Sequence, residues 1–274
     1  MASTPTGSRA FTIAGFQAHC ETAERLARRL GFDDAVVANL GQFQERWDGK
    51  GLPGGLKGPA IAPAVRVVAL AHDAIVIDET LGRAATIAAV KKRRGGLYEP
   101  RVADAFVERA EELMADLPAS SSWDAVLALE PEPRVRLTET QLDEACVAMA
   151  DFADIKSPFT FGHSRAVAAL AASAGRLSGL PPADVTTLRR AALVHDIGQV
   201  AVSSGIFAKP GALTDHEREK VRLHPYHSER ILARPAALAR LGQVVSRHHE
   251  RLDGSGYHRG ARGDALGSAS KILA

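Results

Sequence analysis

Apolar residues recur at helical spacing along most of the chain. In the segment 101–117, Val102, Phe106 and Leu113 fall on the apolar side of a helix that follows Pro100. We observe no sustained alternation of apolar and polar residues, which is typical of half-buried strands. The same helical period is found in the segments 19–31, 163–180, 182–200, 213–224 and 235–250. We therefore predict an almost entirely α-helical protein.

Two kinds of residue mark helix ends. Gly31 and Gly179 follow helical segments, as glycine often does at helix C-termini. Thr214 and Glu217 have the spacing of a capping box, in which each residue satisfies the backbone N–H of the other. The sequence therefore predicts a helix that begins at this pair.

The segment 118–139, PASSSWDAVLALEPEPRVRLTE, is rich in serine and proline. Such clusters are typical of connections between domains. We therefore predict an N-terminal helical region at 10–117, a linker at 118–139 and a C-terminal domain at 140–274.

A long-period repeat relates the two halves of the chain. A shift of 205 positions (224 − 19) aligns QERWDGKGLPGGLKG at 44–58 with HERLDGSGYHRGARG at 249–263, without a gap. The N-terminal copy has Phe43 and Gln44 where the C-terminal copy has His248 and His249. We therefore expect the N-terminal copy to keep the scaffold but to lack the chemistry.

Charge and cysteine content bound the class of protein. The net charge of +2 gives no electrostatic footprint for nucleic acid or a membrane surface. The two cysteines lie far apart, which argues against a disulfide framework and fits a reducing compartment. We find neither a signal peptide nor an apolar segment of transmembrane length. We therefore expect a cytoplasmic protein with no direct nucleic-acid binding and no membrane association.

Histidine and aspartate residues form an ordered set in the second half. His163, the pair His195–Asp196, His224 and the pair His248–His249 fall on four successive predicted helices. Imidazole and carboxylate ligands without cysteine suit iron, manganese, zinc or nickel. A carboxylate can bridge two cations, and a metal pair activates water for attack on a phosphate ester. Each histidine alone is better explained by packing or helix capping, so the prediction rests on the combination.

The motifs TFGHSRAVA, ALVHDIGQV, FAKPGALTDHE, RLHPYHSERIL and HHERLDGSGYHRG resemble the HD-GYP family of metal-dependent phosphohydrolases. The resemblance covers residues 160–274. It implies an HD-domain helical bundle, a two- or three-metal centre, and hydrolysis of cyclic di-GMP by metal-hydroxide attack. Residues 19–106 resemble the back half of the same domain, so the N-terminal region is expected to be a degenerate HD-GYP-like half-domain with a structural role.

The resemblance also implies roles for individual residues. The implied divalent metal pair is iron or manganese, with zinc, nickel and magnesium as alternatives. The implied metal ligands are His163, His195, Asp196, His224, His248 and His249. The catalytic positions are Asp196 and Gln199. The substrate-binding positions are Arg251, Asp253, Gly254, Gly256 and Tyr257, although Arg251 equally suits packing against the glycine loop.

The chain departs from the family pattern at several positions. Gln199 replaces the lysine of HDIGK and removes a cation from the site. His258 replaces the proline of GYP, and we expect its ring to be exposed. Phe159 stands where some members carry a glutamate for a third metal, so we expect two metals at most. The family's last aspartate ligand would fall beyond Ala274, the last residue of the sequence. Three explanations are open: the polypeptide continues, the ligand is absent, or His72 or Asp73 takes its place.

These features leave alternative functions open. The first is a cyclic di-GMP phosphodiesterase, and the second is a catalytically impaired signalling module that binds a nucleotide or a partner protein. A general HD phosphohydrolase acting on another nucleotide is a third hypothesis. A homodimer or a signalling partner is compatible with each of them. Metal content and phosphodiester turnover distinguish the first two.

Overall fold

The computed structural model describes residues 6–115, 127–130, 132, 136–157 and 159–274. The chain divides into two units, Met1–Arg136 and Leu137–Ala274. Much of the predicted linker at 118–139 lies outside the described residues.

The core of the N-terminal unit is formed by its last three helices. Ala103, Phe106, Ala110 and Met114 form the buried stripe of the last helix, whereas Leu113, a predicted core residue, is 51% exposed. The predicted face was therefore wrong at Leu113, because the buried stripe continues through Ala110 and Met114. The helices are α1 (Thr6–Arg29), α2 (Asp34–Leu40), α3 (Pro63–Leu81), α4 (Arg83–Arg93) and α5 (Pro100–Ala115).

The C-terminal unit consists of helices that surround α8. The helices are α6 (Glu139–Asp154), α7 (His163–Leu177), α8 (Pro182–Val194), α9 (Ser204–Phe207), α10 (Asp215–Arg222), α11 (His224–Leu232), α12 (Ala239–Val245) and α13 (Ser268–Leu273). Short 3₁₀ turns occupy Ile197–Ala201 and Gly263–Ala265.

Small residues allow α7 and α8 to pack closely. Leu188 and Ala191 of α8 are fully buried, and Ala171 of α7 belongs to the same core. A Cβ atom on Gly175 of α7 would lie 3.1 Å from the Leu188 side chain. The alanine-rich sequence of α7 therefore brings the start of this helix, at His163, close to the end of α8.

The prediction of an all-α protein is confirmed. The described residues contain no strand, and their one isolated bridge joins Arg94 and Tyr98. The predicted capping box is also present: Thr214 Oγ1 accepts from Glu217 N at 3.3 Å, and Glu217 Oε2 accepts from Thr214 N at 2.8 Å. In the part of the chain that the structure describes, no helix is both long and apolar enough to cross a bilayer.

Two helices end earlier than the sequence pattern predicts. The segment 182–200 is α-helical only to Val194, and the segment 235–250 is α-helical only over Ala239–Val245, so its predicted helix also begins four residues late. Adjacent residues on a helix point about 100° apart. α8 ends directly before His195 and Asp196, whereas α12 ends at Val245, three residues before His248. Both polar pairs therefore lie at or just beyond the end of a helix.

Candidate metal centre

Four helix ends of the C-terminal unit present the six predicted metal ligands. His163 and His224 are the first residues of α7 and α11, respectively. His195 and Asp196 occupy the turn after α8, and His248 and His249 occupy the turn after α12. The ligands therefore lie at helix termini, where a side chain is not confined to one helical face.

The structure brings these side chains together in two groups of three. His163, His195 and Asp196 form one group, and His224, His248 and His249 form the other. Within each group the potential ligand atoms all lie within 4.8 Å of one another.

Asp196 lies between the two groups. Its Oδ2 atom is 3.3 Å from His195 Nε2 and 3.8 Å from His163 Nε2. Its Oδ1 atom is 3.1 Å from His224 Nε2 and 3.8 Å from His248 Nε2. One carboxylate oxygen therefore faces each group, which is the arrangement expected of a bridging ligand.

Three buried imidazoles have the same backbone hydrogen bond. In each ring Nδ1–H donates to the carbonyl oxygen three residues earlier, which leaves the lone pair of Nε2 for the interior of the site. The donor and acceptor pairs are His195 with Ala192 at 2.8 Å, His224 with Val221 at 2.6 Å, and His248 with Val245 at 2.7 Å.

These tautomers make a cation necessary. The Nε2 atoms of His224 and His248 are only 3.0 Å apart, and both lie near the Asp196 carboxylate. Two lone pairs at this distance repel each other unless a proton or a metal ion lies between them. The donor set of imidazoles and a carboxylate fits divalent iron, manganese, zinc or nickel.

Burial and charge favour the protonation states that metal ions require. Burial lowers the pKa of His195 and His248, and it lowers the pKa of His249 to about 4. Burial opposes the ionisation of Asp196, but the hydrogen bond that His224 donates when Nε2 also carries a proton, together with the neighbouring histidines, holds the pKa of Asp196 below the ordinary value. Neutral imidazoles and an ionised carboxylate are ready to bind a cation.

A buried serine that sequence reasoning missed links two of the ligand-bearing segments. Ser228 Oγ donates to the carbonyl oxygen of His195 at 2.8 Å and accepts from Gly198 N at 2.8 Å. A Cβ atom on Gly198 would lie 2.1 Å from the His224 carbonyl oxygen. The turn after α8 is thus fixed against α11. Ser228 itself has no distinguishing feature in the sequence, and only the glycine at position 198 indicates a close backbone approach.

A second missed residue fixes the start of α7. The buried carboxylate of Asp154 accepts from Ser164 N at 3.0 Å and from Ser164 Oγ at 2.6 Å. Because Ser164 follows His163, this contact holds the first ligand of the site in place.

The glycine-rich loop after His249 is fixed by a buried glutamate. Glu250 accepts backbone N–H groups from Arg259 at 2.6 Å, Gly260 at 3.1 Å and Ala261 at 2.9 Å. A Cβ atom on Gly256 would lie 2.4 Å from Glu250 Cα, so the close approach requires glycine. The loop is therefore held against the turn that carries the histidine pair.

The other predicted loop residues take different positions. Tyr257 donates its backbone N–H to the His249 carbonyl oxygen at 3.1 Å. Asp253 caps its own loop by accepting from Ser255 N at 2.9 Å, and Gly254 has φ +79°. Arg251 is exposed and makes no side-chain hydrogen bond or ion pair with any residue that the structure describes.

Two positions that depart from the family pattern are buried. Gln199 is 8% exposed, and it belongs to neither candidate ligand group. The expectation of an exposed His258 was wrong: its ring is half-buried, and its Nδ1 atom is buried without a hydrogen-bond partner. The reason is that the loop folds back, so that His258 lies 5.8 Å from the Tyr226 ring.

The N-terminal unit repeats the loop packing without the ligands. Gly54 N donates to the buried Glu45 carboxylate at 2.7 Å, and a Cβ atom on Gly51 would lie 2.5 Å from Glu45 Cα. Asp73 accepts from the Tyr98 hydroxyl at 2.6 Å. Among its described residues this unit has no candidate metal group.

The chain is similar to several known proteins. A family model described as HD domain matches residues 12–100 and 147–274. The chain is 32% identical over 262 residues to 3'3'-cGAMP-specific phosphodiesterase 3 of Vibrio cholerae, a match that covers 94% of this chain. It is 43% identical over 100 residues to a cyclic di-GMP phosphodiesterase of Pseudomonas aeruginosa, covering 36% of this chain.

A solved structure supports the fold. The crystal structure of a cyclic GMP-AMP specific phosphodiesterase of Vibrio cholerae matches with a TM-score of 0.71 at 24% identity, over 96% of this chain and 72% of that chain. The chain spans 56% of the length of the first relative and 24% of the second.

Proposed function

The chain belongs to the HD domain family, and from this premise we propose that it is a metal-dependent phosphodiesterase for cyclic dinucleotides. The observation that carries the proposal is the position of Asp196, with one carboxylate oxygen toward each group of histidines. A single metal site does not need a carboxylate shared in this way.

The proposed metal ligands are the six side chains of the two groups. His163, His195 and Asp196 would hold one ion, and His224, His248 and His249, together with Asp196, would hold the other. A bound metal pair supplies a hydroxide nucleophile at neutral pH and neutralises charge on the phosphate oxygens. The chain itself orients the imidazoles through their Nδ1–H hydrogen bonds and keeps Asp196 ionised.

Arg251 is the proposed phosphate contact. In the N-terminal copy the aligned Arg46 forms a two-point ion pair with Asp48, at 3.0 and 2.7 Å. In the C-terminal copy the carboxylate of Asp253 accepts hydrogen bonds from Ser255 N and Oγ instead, and Arg251 is exposed to solvent. An exposed guanidinium next to the histidine pair suits a phosphate oxygen. Gln199, in place of the family lysine, offers a hydrogen-bond donor without charge.

Exposed aromatic side chains near the site favour a substrate that carries bases. Phe159 and Phe161 are 92% and 81% exposed in the segment that leads into His163. Thr160, which lies between them, donates its hydroxyl to the carbonyl oxygens of Asp154 at 2.8 Å and Ser157 at 3.0 Å, which links this segment to the end of α6. Bases stack on exposed aromatic rings, which supports a nucleotide substrate.

Among cyclic dinucleotides, we propose 3'3'-cGAMP ahead of the cyclic di-GMP that the sequence suggested. The relative that aligns over 94% of this chain is named as specific for 3'3'-cGAMP. The relative named for cyclic di-GMP aligns over a shorter segment.

The domain organisation remains part of the proposal. We assign 140–274 to the metal-binding domain, 118–139 to a linker and 10–117 to a degenerate copy with a structural role. The family match at 12–100 and the shared packing of Gly51 and Gly256 support this assignment.

The experiment compares metal content with turnover in the purified chain. After reconstitution with Mn²⁺ or Fe²⁺, metal per chain is measured, and 3'3'-cGAMP, cyclic di-GMP and methyl 4-nitrophenyl phosphate are each tested as substrates. Two ions per chain with production of a linear dinucleotide are the expected result. Two ions without turnover of any phosphodiester would favour the alternative, a signalling module that binds a nucleotide or a partner protein. A chain that binds no metal would overturn the proposal.

A further inference from the structure

His249, like His163, lacks the backbone hydrogen bond that holds the rings of the three buried histidines of the site. The rings of His195, His224 and His248 are each fixed by an Nδ1–H hydrogen bond to a backbone carbonyl. The ring of His249 makes no hydrogen bond with the residues that the structure describes, and it is only partly buried. Something other than a hydrogen bond must orient this ring.

Tyr257 supplies a flat surface for that ring. The two ring centroids are 4.7 Å apart, and the planes are inclined by only 24°, which is a stacked arrangement. The backbone N–H of Tyr257 donates to the His249 carbonyl oxygen at 3.1 Å. Tyr257 is therefore fixed to the residue on which its own ring stacks.

Arg222 completes the arrangement from another helix. Its guanidinium carbon lies 4.7 Å from the centroid of the Tyr257 ring, within the range of a cation–π interaction. Glu219 holds the guanidinium at 3.3 Å. Arg222 ends α10 and nearly adjoins His224, whose ring lies 5.0 Å from that of His249.

We propose that Arg222 and Tyr257 are positioning residues that hold His249 as a ligand for the group formed with His224 and His248. The stack takes the place of the backbone hydrogen bond that orients the rings of His195, His224 and His248. This inference rests on the proposed metal centre, and it assigns to Tyr257 a role in metal binding in addition to any contact with substrate.

If the stacked rings of Tyr257 and His249 hold a ligand, their loss should affect metal binding in only one of the two groups. His249 belongs to the group of His224 and His248, whereas His163 and His195 belong to the other group. Loss of the stack should weaken binding of one ion and leave the second ion in place. A substitution that merely destabilised the fold would weaken both.

The experiment is a titration of the metal-free chain with Mn²⁺. Calorimetry measures the affinity of each site, and metal analysis measures the number of ions bound per chain. Tyr257→Leu removes the ring, Tyr257→Phe keeps it, and Arg222→Gln removes the cation from a partly exposed position. We expect Tyr257→Leu to weaken one of two sites by about 10- to 100-fold, Arg222→Gln to weaken it less, and Tyr257→Phe to retain both sites.

The chain contains a matched control. Tyr226 lies 5.4 Å from the His227 ring and has Arg230 over its own ring at 5.6 Å, and His227 belongs to neither ligand group. Tyr226→Leu should therefore leave both metal sites unchanged. Circular dichroism and urea unfolding of each variant establish that it is folded.

The outcomes separate this inference from the proposed function. If Tyr257→Leu and Arg222→Gln bind two ions as tightly as the parent chain while turnover falls, the residues contact substrate and the inference is wrong, although the proposed function stands. If both ions are weakened equally, a selective role for the stack is also excluded. If the parent chain binds no Mn²⁺ or Fe²⁺, the proposed function is wrong, and the inference that rests on it is wrong as well.

Discussion

The Oδ1 atom of Asp196 lies 3.1 Å from Nε2 of His224, a residue on a different helix. The other carboxylate oxygen lies 3.3 Å from Nε2 of His195, the preceding residue in the chain. Asp196 thus contacts histidines of both groups, and removing its charge tests the whole centre.

Substitution of Asp196 by asparagine should release metal from both groups. We expect the metal content to fall from about two ions per chain to fewer than about one, because the neutral amide cannot balance two cations. Metal analysis of the purified variant measures this. His216→Ala is the control, since His216 adjoins an aspartate, is exposed on α10 and belongs to neither ligand group. An unchanged metal content in Asp196→Asn would contradict the bridging role.

Substitution of Ser228 by alanine should destabilise the C-terminal unit and weaken the metal centre. It leaves the buried Gly198 N–H without its acceptor, which costs about 1–3 kcal/mol of unfolding free energy. Metal affinity should fall by about tenfold, because the His195 turn is no longer fixed to α11. Urea unfolding and Mn²⁺ titration measure both effects. Ser246→Ala, whose buried hydroxyl makes one long hydrogen bond to Gln243, should have a smaller effect.

Substitution of Arg251 by glutamine should raise the KM for the cyclic dinucleotide by about tenfold, because a charge-assisted hydrogen bond to phosphate contributes about 1.5–3 kcal/mol. Initial-rate kinetics measure the change. Arg46→Gln, which breaks the ion pair with Asp48 in the N-terminal copy, should leave the KM unchanged. An unaltered KM in Arg251→Gln would favour the alternative, that Arg251 only packs against its loop.

Substitution of Phe161 by alanine should weaken binding of the cyclic dinucleotide by about fivefold or more, because stacking contributes about 1–3 kcal/mol per base. Hydrolysis of methyl 4-nitrophenyl phosphate, which has no purine base, should not change. Leu177→Ala is the matched control, because Leu177 is 90% exposed at the opposite end of α7. Equal losses with both phosphodiesters would exclude a base-stacking role for Phe161.

The sequence indicated the helical fold, the family and the set of ligand residues. Helical periodicity was sufficient for the fold because it depends on which side of each helix is buried. The order of His163, His195–Asp196, His224 and His248–His249 singled out the residues that the structure brings together. The repeat indicated that the N-terminal copy lacks this chemistry.

Contacts between distant segments could not be predicted in the same way. Ser228 and Asp154 are ordinary polar residues in the sequence, and they become important only because folding places them against Gly198 and Ser164. The burial of His258 likewise depends on the path of its loop.

The sequence by itself determined which side chains are candidate metal ligands, and tertiary structure decided how they are brought together. The order of residues in the sequence marks His195 and Asp196, but only the packing of α7, α8 and α11 brings them together with His163 and His224. The same holds for His248 and His249 after α12. Local periodicity does not encode this convergence, because it depends on contacts between helices and on buried hydrogen bonds such as those of Ser228 with His195 and Gly198.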